Sequence, residues 1–214
     1  MDLLLIRHAL PLRVERADGR PADPPLADLG HEQSRRLAEW LVAEHVDALY
    51  TSPMQRAVET AAPYAQASGL APTVEPGVSE FDRDSASYVP MEELKAKDYD
   101  AWLQLVENGG FDDGVDPEEF RTTVVDALEG IIDAHRGETV AVVCHGGVIN
   151  AWATKVVGLD EHFFFEPLYT GISRFVCSSR GHRSVMSLNE IPHLRGLTTA
   201  RETFANGATG STPA

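Results

Sequence analysis

Two histidines and two arginines occupy positions in the sequence that suit chemistry on a phosphoryl group. Arg7 and His8 directly follow a short apolar run near the start of the chain, and His145 directly follows a second such run. Arg56 lies a few residues after a third run. Guanidiniums offer forked N–H donors to phosphate oxygens, and a neutral imidazole is a competent nucleophile. These side chains predict a phosphoryl-transfer site, provided that the fold brings them together.

The elements that precede these residues predict that they do meet. Residues 3–6 and 140–144 are continuous apolar runs, typical of strands that are buried on both faces. Residues 47–50 form a shorter candidate strand, and helical patterns separate the three runs. Ligands of parallel sheets bind beyond the carboxyl ends of the strands, so the residues that follow these strands should share one edge.

Helical patterns complete the fold prediction. We expect a helix over about residues 30–44. A second helix should have Ser52 as its N-cap and Pro53 at its first position, and Pro63 should kink it or end it early. Further helices are expected over residues 91–107, from Pro117 until Gly137 with Asp116 as its cap, and over residues 146–156.

This alternation predicts an α/β fold, a three-layer sandwich with a mostly parallel central sheet, helices on both faces and a small cap region. Strands at residues 172–178 and 184–188 are expected to add an antiparallel edge. We predict a single domain over residues 1–194, with the cap or insert at about residues 77–115. Residues 195–214 are rich in Gly, Thr, Ala and Ser and are expected to form a disordered tail.

Composition narrows the classes of partner. Eighteen basic against thirty-three acidic side chains give a formal charge of −15, which argues against nucleic acid or an anionic membrane surface as partner. The two cysteines are too few for a disulfide framework, and the start of the chain lacks the basic region of a signal peptide. No apolar run reaches the roughly 18 residues of a membrane-spanning helix. We therefore expect a cytoplasmic protein.

Four sequence blocks resemble those of the histidine phosphatase superfamily, which includes the cofactor-dependent phosphoglycerate mutases. In order, they are LLLIRHA, Pro25-Leu26-Ala27-Asp28-Leu29-Gly30 with Gln33, Ser52-Pro53-x-x-Arg56-Ala57-x-x-Thr60-Ala61, and VAVVCHGGVI. The blocks cover most of residues 1–157, but neither residues 81–115 nor the tail.

The resemblance implies a role for each matching residue. His8 would be the nucleophile that accepts the phosphoryl group. Arg7, Arg56 and His145 would form the phosphate pocket, together with the backbone at Gly146. Glu80 stands where the family has its general acid, with Asp82 and Asp84 as the nearest alternatives. The family reaction needs no metal and no cofactor.

The sequence also departs from the family pattern after the first histidine. Ala9 replaces the usual Gly, which we expect to be tolerated because Ala still offers its N–H to the phosphate. Leu10-Pro11-Leu12 replace polar residues that often follow the motif. One phosphate ligand of the mutases is therefore missing, unless Arg13 replaces it.

Other catalytic chemistries lack a signature here. A cysteine phosphatase loop needs Arg six positions after its Cys, but Asn150 stands there after Cys144. We therefore interpret Cys144 as an apolar filler of a central strand. The sequence contains no HExxH, no CxxC and no P-loop motif.

The best-supported function is metal-independent hydrolysis of a small phosphorylated metabolite through a phosphohistidine. The alternatives are a phosphoglycerate mutase-type phosphoryl transferase and a weakly active module that binds phosphorylated ligands. Specificity is expected from residues 11–25 and 81–115. Four arginines there are candidates for a second anionic group: Arg13, Arg16, Arg20 and Arg83. The acid-rich helix at residues 92–107 is either a homodimer surface or a solubility feature.

Overall fold

Six strands form the central sheet of the structure, a computed structural model that describes residues 1–107 and 114–197. In spatial order they are β4 (Thr73–Val74), β3 (Ala48–Thr51), β6 (Thr139–Cys144), β1 (Asp2–Arg7), β7 (Ile172–Cys177) and β8 (Arg183–Glu190). The first four strands are mutually parallel, whereas β7 and β8 are antiparallel to their neighbours. The expected mostly parallel sheet with an antiparallel edge is confirmed.

Helices cover both faces of this sheet. On one face lie α1 (Asp28–Leu41) and α2 (Gln55–Ser68), and on the other lie α5 (Pro117–Ala134) and α6 (Gly146–Val157). Strand β1 shows why: Leu4 and Ile6 pack with the α1–α2 side, whereas Leu3 and Leu5 pack with the α5–α6 side. Because successive side chains of a strand point to opposite faces, a continuous apolar run requires a cover on each.

The region between β4 and α5 contains the segment that the sequence predicts as the cap. It contains short 3-10 helices at Pro76–Val78 and Phe81–Asp84, then α3 (Met91–Lys97) and α4 (Tyr99–Glu107). Strand β5 (Ser87–Tyr88) of this region pairs with β2 (Val14–Glu15) of the loop after β1. The sequence did not predict this pair because two-residue strands carry no periodic pattern.

Several predicted helix bounds are wrong in detail. The second helix begins at Gln55 with Met54 as its N-cap, and Ser52 Oγ accepts the Met54 N–H at 3.2 Å before the helix starts. Pro63 does not end this helix, which continues to Ser68. The segment 91–107 forms two helices, with the break at Asp98, whose carboxylate accepts the Ala101 N–H at 3.0 Å.

Other expectations about the chain have different outcomes. Asp116 does cap α5, accepting N–H bonds from Glu118 and Glu119 at 2.9 and 3.2 Å. Most of the expected disordered tail, and residues 108–113 of the expected cap, lie outside the described residues. Within the described part of the chain, no helix is both long and apolar enough to cross a membrane.

Candidate active site

The ends of three parallel strands bring the candidate residues together. Strand β6 lies between β1 and β3, with Arg7 in register with Cys144 and Thr51 in register with Val143. The residues that follow these strands therefore share one edge of the sheet, as the topology predicted. The rings of His8 and His145 lie with their centroids 5.1 Å apart, and both side chains are buried.

The surroundings of His8 define its protonation. Nδ1 lies 2.8 Å from the carbonyl oxygen of Ala9, which can only accept, so Nδ1 carries the proton. Burial, and then the charges of Arg56 and Arg7, hold the pKa of His8 well below its usual value. The imidazole is therefore neutral near pH 7, with the lone pair on Nε2.

His145 occupies the N-cap position of α6. Its Nε2 lies 2.8 Å from Ser52 Oγ, whereas its buried Nδ1 has no hydrogen-bond partner among the described residues. Burial, and then Arg56, also hold the pKa of His145 well below the usual histidine value. The ring is therefore neutral at pH 7, and Nδ1 is available to a ligand.

Arg7 is held in place by contacts that leave one of its N–H donors unused. Nη1 donates to Glu92 Oε1 at 2.9 Å and to the Pro167 carbonyl at 2.6 Å, and the guanidinium lies 3.9 Å from the centroid of the Tyr169 ring. The buried Nε has no protein partner among the described residues. A Cβ at Gly146 would lie 3.9 Å from this Nε, so the start of α6 adjoins it.

Arg56 is arranged in the same way. Nη2 donates to Asp82 Oδ1 at 2.7 Å, while the guanidinium lies 4.6 Å from the centroid of the Tyr88 ring. Burial tends to lower the pKa of Arg56, but Asp82 and Tyr88 outweigh it, so the net shift is upward and the charge is retained. Its Nε and Nη1 are buried without a protein partner in the described chain.

Glu80 contacts the first turn of α6. Its carboxylate form has the opposite charge to the two arginines. Oε2 accepts the Gly147 N–H at 2.8 Å, and Oε1 accepts the Phe81 N–H at 3.2 Å. Burial and the neighbouring carboxylate of Asp82 raise the pKa of Glu80 to about 7, against the lowering effect of the Gly147 N–H. A substantial fraction of Glu80 therefore carries a proton near neutral pH.

The structure corrects two expectations about the loop after His8. The Ala9 N–H is not offered to the phosphate region, because it donates to Thr60 Oγ1 at 2.9 Å. Arg13 pairs with Glu15 and lies 3.6 Å from Glu93, with its side chain 46% exposed, so it does not replace the missing ligand.

The other candidates of the loop and cap also lie elsewhere. Arg16 and Arg20 both pair with Asp18, and Arg83 pairs with Asp84 at the surface. The acid-rich helix does not present all its acids to solvent, since Glu92 and Glu93 are buried. Glu92 pairs with Arg7, and Glu93 pairs with Lys97 at 2.7 Å.

Sequence reasoning missed the residues that hold the arginines in place. Glu92, Tyr88 and Tyr169 stand in no motif, and each reaches the site through tertiary contacts across long stretches of chain. The interpretation of Cys144 as a strand filler is consistent with its complete burial, which raises the pKa of its thiol.

A cavity of about 820 Å³ opens from this cluster. Arg7, His8, Arg56, Glu80 and Gly146 line it, and its remaining walls come from the cap, from α6 and from the loop before β7. Arg7 and Arg56 are the only Lys or Arg among the described residues that line it. No cluster of three or more His, Cys, Asp and Glu side chains within residues 1–107 and 114–197 is arranged to hold a metal ion.

Comparison with known proteins identifies relatives over almost the whole chain. Residues 3–190 match the sequence profile of the histidine phosphatase superfamily (branch 1). Phosphoserine phosphatase 1 of Hydrogenobacter thermophilus is 30% identical over 205 residues, which cover 91% of this chain and 94% of the relative. A probable phosphoglycerate mutase of Yersinia enterocolitica is 23% identical over 166 residues, 76% of this chain and 77% of the relative.

The fold also matches solved structures. Phosphoserine phosphatase from Entamoeba histolytica, in complex with 3-phosphoglyceric acid, superposes with a TM-score of 0.70 at 23% sequence identity. The match covers 90% of this chain and 98% of that chain. At this level of identity the likeness bears on the fold alone.

Proposed function

The chain belongs to branch 1 of the histidine phosphatase superfamily, and from this premise we propose that it hydrolyses phosphomonoesters of small metabolites through a phosphohistidine at His8. The relatives are phosphatases and mutases of small phosphorylated compounds. The observation that carries the proposal is the state of His8, a buried neutral imidazole with Nε2 as its lone-pair atom, flanked by two guanidiniums.

In the first step, His8 Nε2 attacks phosphorus, and the P–N bond forms as the bond to the leaving oxygen breaks. Arg7 Nε and Arg56 Nε and Nη1 have no partner among the described residues and can donate to the phosphoryl oxygens. His145 Nδ1 can donate as well when the Ser52 hydroxyl donates to His145 Nε2. Donors that are already in place stabilise the charge on these oxygens without a cost of reorganisation. Glu80 gives its proton to the leaving oxygen, so the alcohol departs neutral.

In the second step, water attacks the phosphohistidine and the P–N bond breaks. Glu80, now a carboxylate, accepts a proton from this water, which restores the acid and releases inorganic phosphate. The raised pKa of Glu80, about 7, suits a group that gives and takes a proton near neutral pH.

Hydrolysis is favoured over the mutase alternative. A mutase of this superfamily must hold a carboxylate-bearing substrate while the phosphoryl group moves between its oxygens. Beyond Arg7 and Arg56, no Lys or Arg among the described residues lines the cavity to hold such a carboxylate.

The proposal includes metal independence and a cytoplasmic location. Two guanidiniums supply the positive charge that phosphoryl transfer requires, so activity should persist in EDTA. Cys144 and Cys177 are buried free thiols, which supports a reducing compartment.

Trapping the intermediate tests the proposed function. Brief mixing with a labelled phosphomonoester, then quenching, should give a phosphorylated protein that survives alkali but not acid, as a phosphoramidate does. His8→Ala should carry no label. His45→Ala, which changes a side chain that is 90% exposed, is the matched control and should be labelled normally. Label that persists in His8→Ala, or a wild type that binds phosphate esters without turnover, would contradict the proposal.

A further inference from the structure

The two ends of the substrate can be placed within the cavity. His8, Arg7 and Arg56 define the phosphoryl end. Glu80 defines the leaving-group end, because a general acid must lie within hydrogen-bond reach of the departing oxygen. Whatever the alcohol carries beyond that oxygen therefore meets the walls on the Glu80 side of the cavity.

Those walls are largely aromatic. Phe81 follows Glu80 directly, and its ring centroid lies 6.2 Å from that of Phe163 and 5.8 Å from that of Phe120. Phe163, Phe164 and Phe165 are consecutive and all line the cavity, as do four apolar residues of the cap: Val89, Met91, Leu94 and Trp102. Phe164, which lines the cavity, keeps 39% of its surface exposed.

The cavity is also large for a small polar alcohol. Its volume of about 820 Å³ lies toward the upper end of the roughly 300–1,000 Å³ typical of pockets for drug-sized ligands. A phosphate ester of a three-carbon alcohol would leave most of the aromatic wall uncovered.

The charged groups of the cavity disfavour a second anion. Asp82, Glu161 and Glu166 line it, whereas Arg7 and Arg56 are committed to the phosphoryl end. Lys95 lies nearby, but its ammonium is 4.2 Å from the centroid of the Trp102 ring and pairs with Glu166 at 3.4 Å. The remaining basic group, His162, lies 3.9 Å from Glu118.

We propose that the preferred substrates are phosphomonoesters of apolar, ring-bearing alcohols without a second negative charge. This inference rests on the proposed hydrolysis at His8. It separates the chain from the solved relative in complex with 3-phosphoglyceric acid, whose carboxylate is a second negative charge. Burial of a ring against the Phe81–Phe163 side supplies the binding energy. Beyond Arg7 and Arg56, no Lys or Arg among the described residues lines the cavity to pair with a substrate carboxylate.

Esters with similar leaving groups test this inference without confusing binding and chemistry. We compare kcat/KM for 2-phenylethyl phosphate, ethyl phosphate and 3-phosphoglycerate, all of which expel an alkoxide oxygen and need the same acid. The phenyl ester should exceed ethyl phosphate by roughly 10- to 100-fold, the effect of burying one ring. 3-Phosphoglycerate should fall below the phenyl ester by at least as much.

Variants in the wall locate the effect. Phe164→Ala and Trp102→Ala should each reduce the ratio of phenylethyl to ethyl phosphate kcat/KM by several-fold, on the order of 10-fold. Trp40→Ala on α1, which removes a half-exposed tryptophan away from the cavity, is the matched control and should keep the ratio. Because the readout is a ratio between two substrates in one protein, partial loss of folded enzyme does not change it.

The outcomes separate this inference from the function on which it rests. The inference alone would be overturned if all three esters were hydrolysed with 3-phosphoglycerate equal or preferred, or if neither wall variant changed the ratio. If the protein hydrolysed neither these three esters nor an activated aryl phosphate, the proposed function would be overturned and this inference with it.

Discussion

At the scale of single residues, one physical cause prepares two groups for opposite tasks. Burial disfavours the charged form of any side chain, so it lowers the pKa of His8 and raises that of Glu80. Near pH 7 the site therefore holds a neutral nucleophile and a carboxyl that still carries a proton. Pairs of titratable groups whose pKa values are shifted in opposite directions mark acid and base roles.

Glu80→Gln should separate substrates by their leaving groups. Turnover of an alkyl phosphate should fall on the order of 10²- to 10⁴-fold, the usual contribution of general acid catalysis. An activated aryl phosphate leaves without protonation and should lose much less. Steady-state kinetics on one substrate of each kind measures the difference.

The pH profile gives an independent readout of the same residue. Because Glu80 must be protonated, wild-type kcat/KM on the alkyl ester should fall as pH rises through about 7. The aryl ester should lack this limb, and Glu80→Gln should lack it with both esters. An equal loss on both esters would instead make Glu80 a binding or structural residue and leave Asp82, already paired with Arg56, as the next candidate.

At the scale of elements, the first turn of α6 positions the acid. Gly147 donates its N–H to Glu80, and a Cβ there would lie 2.3 Å from Glu80 Oε1 and 3.0 Å from the Phe81 ring. Glycine at this position therefore allows the carboxylate to approach the helix closely, and a larger residue would displace the Glu80 side chain. The same rule applies at Gly30, where a Cβ would meet the Leu10 carbonyl oxygen at 2.1 Å, so α1 can pack on the loop after His8.

Gly147→Ala should therefore act on catalysis through Glu80. The added methyl displaces a carboxylate at the end of a flexible side chain, so we expect a modest loss of stability and a large loss of alkyl phosphate turnover. Gly130→Ala is the matched control, since a Cβ there meets nothing within 4 Å in a helix interior. It should stabilise the protein by about 0.5–1 kcal/mol and leave turnover unchanged.

Thermal unfolding and alkyl-to-aryl rate ratios check both variants. If Gly147→Ala kept the wild-type ratio, the contact between α6 and Glu80 would have no part in proton transfer. A loss of folded protein alone would lower both rates equally and would leave the ratio unchanged.

At the scale of the whole molecule, the sequence predicted what depends on local pattern. The strands of residues 3–6 and 140–144, their parallel arrangement, and the meeting of His8 with His145 follow from apolar runs and from topology. The sequence did not predict the contacts of Glu92 with Arg7 or of Ala9 with Thr60, because the order of strands in the sheet fixes neither pair. The first contact depends on how the cap packs and the second on how the loop after β1 packs on α2, and periodicity encodes neither.

Burial of Glu80 should also be measurable in the stability of the whole protein. Its pKa rises from 4.5, the ordinary value, to about 7 on folding, so the unfolded chain releases this proton at lower pH than the folded chain. The stability that this group contributes is therefore complete below pH 4.5 and is lost as pH rises through about 7. His8 and His145 have lowered pKa values and act in the opposite sense, because their contribution is lost as pH falls below the ordinary histidine value.

The difference between wild type and Glu80→Gln isolates the glutamate, since both proteins contain the same histidines. Between pH 5 and pH 8, the free energy of unfolding of the wild type should fall by roughly 2–3 kcal/mol more than that of the variant. This difference is the cost of ionising a carboxyl whose pKa is raised from 4.5 to about 7 in the folded protein. Urea unfolding of both proteins at the two pH values measures it. Glu39→Gln, which removes an exposed carboxyl of α1, should follow the wild type. Equal pH dependence in wild type and Glu80→Gln would mean that Glu80 ionises in the folded protein as easily as in water, which would remove the basis for its role as the acid.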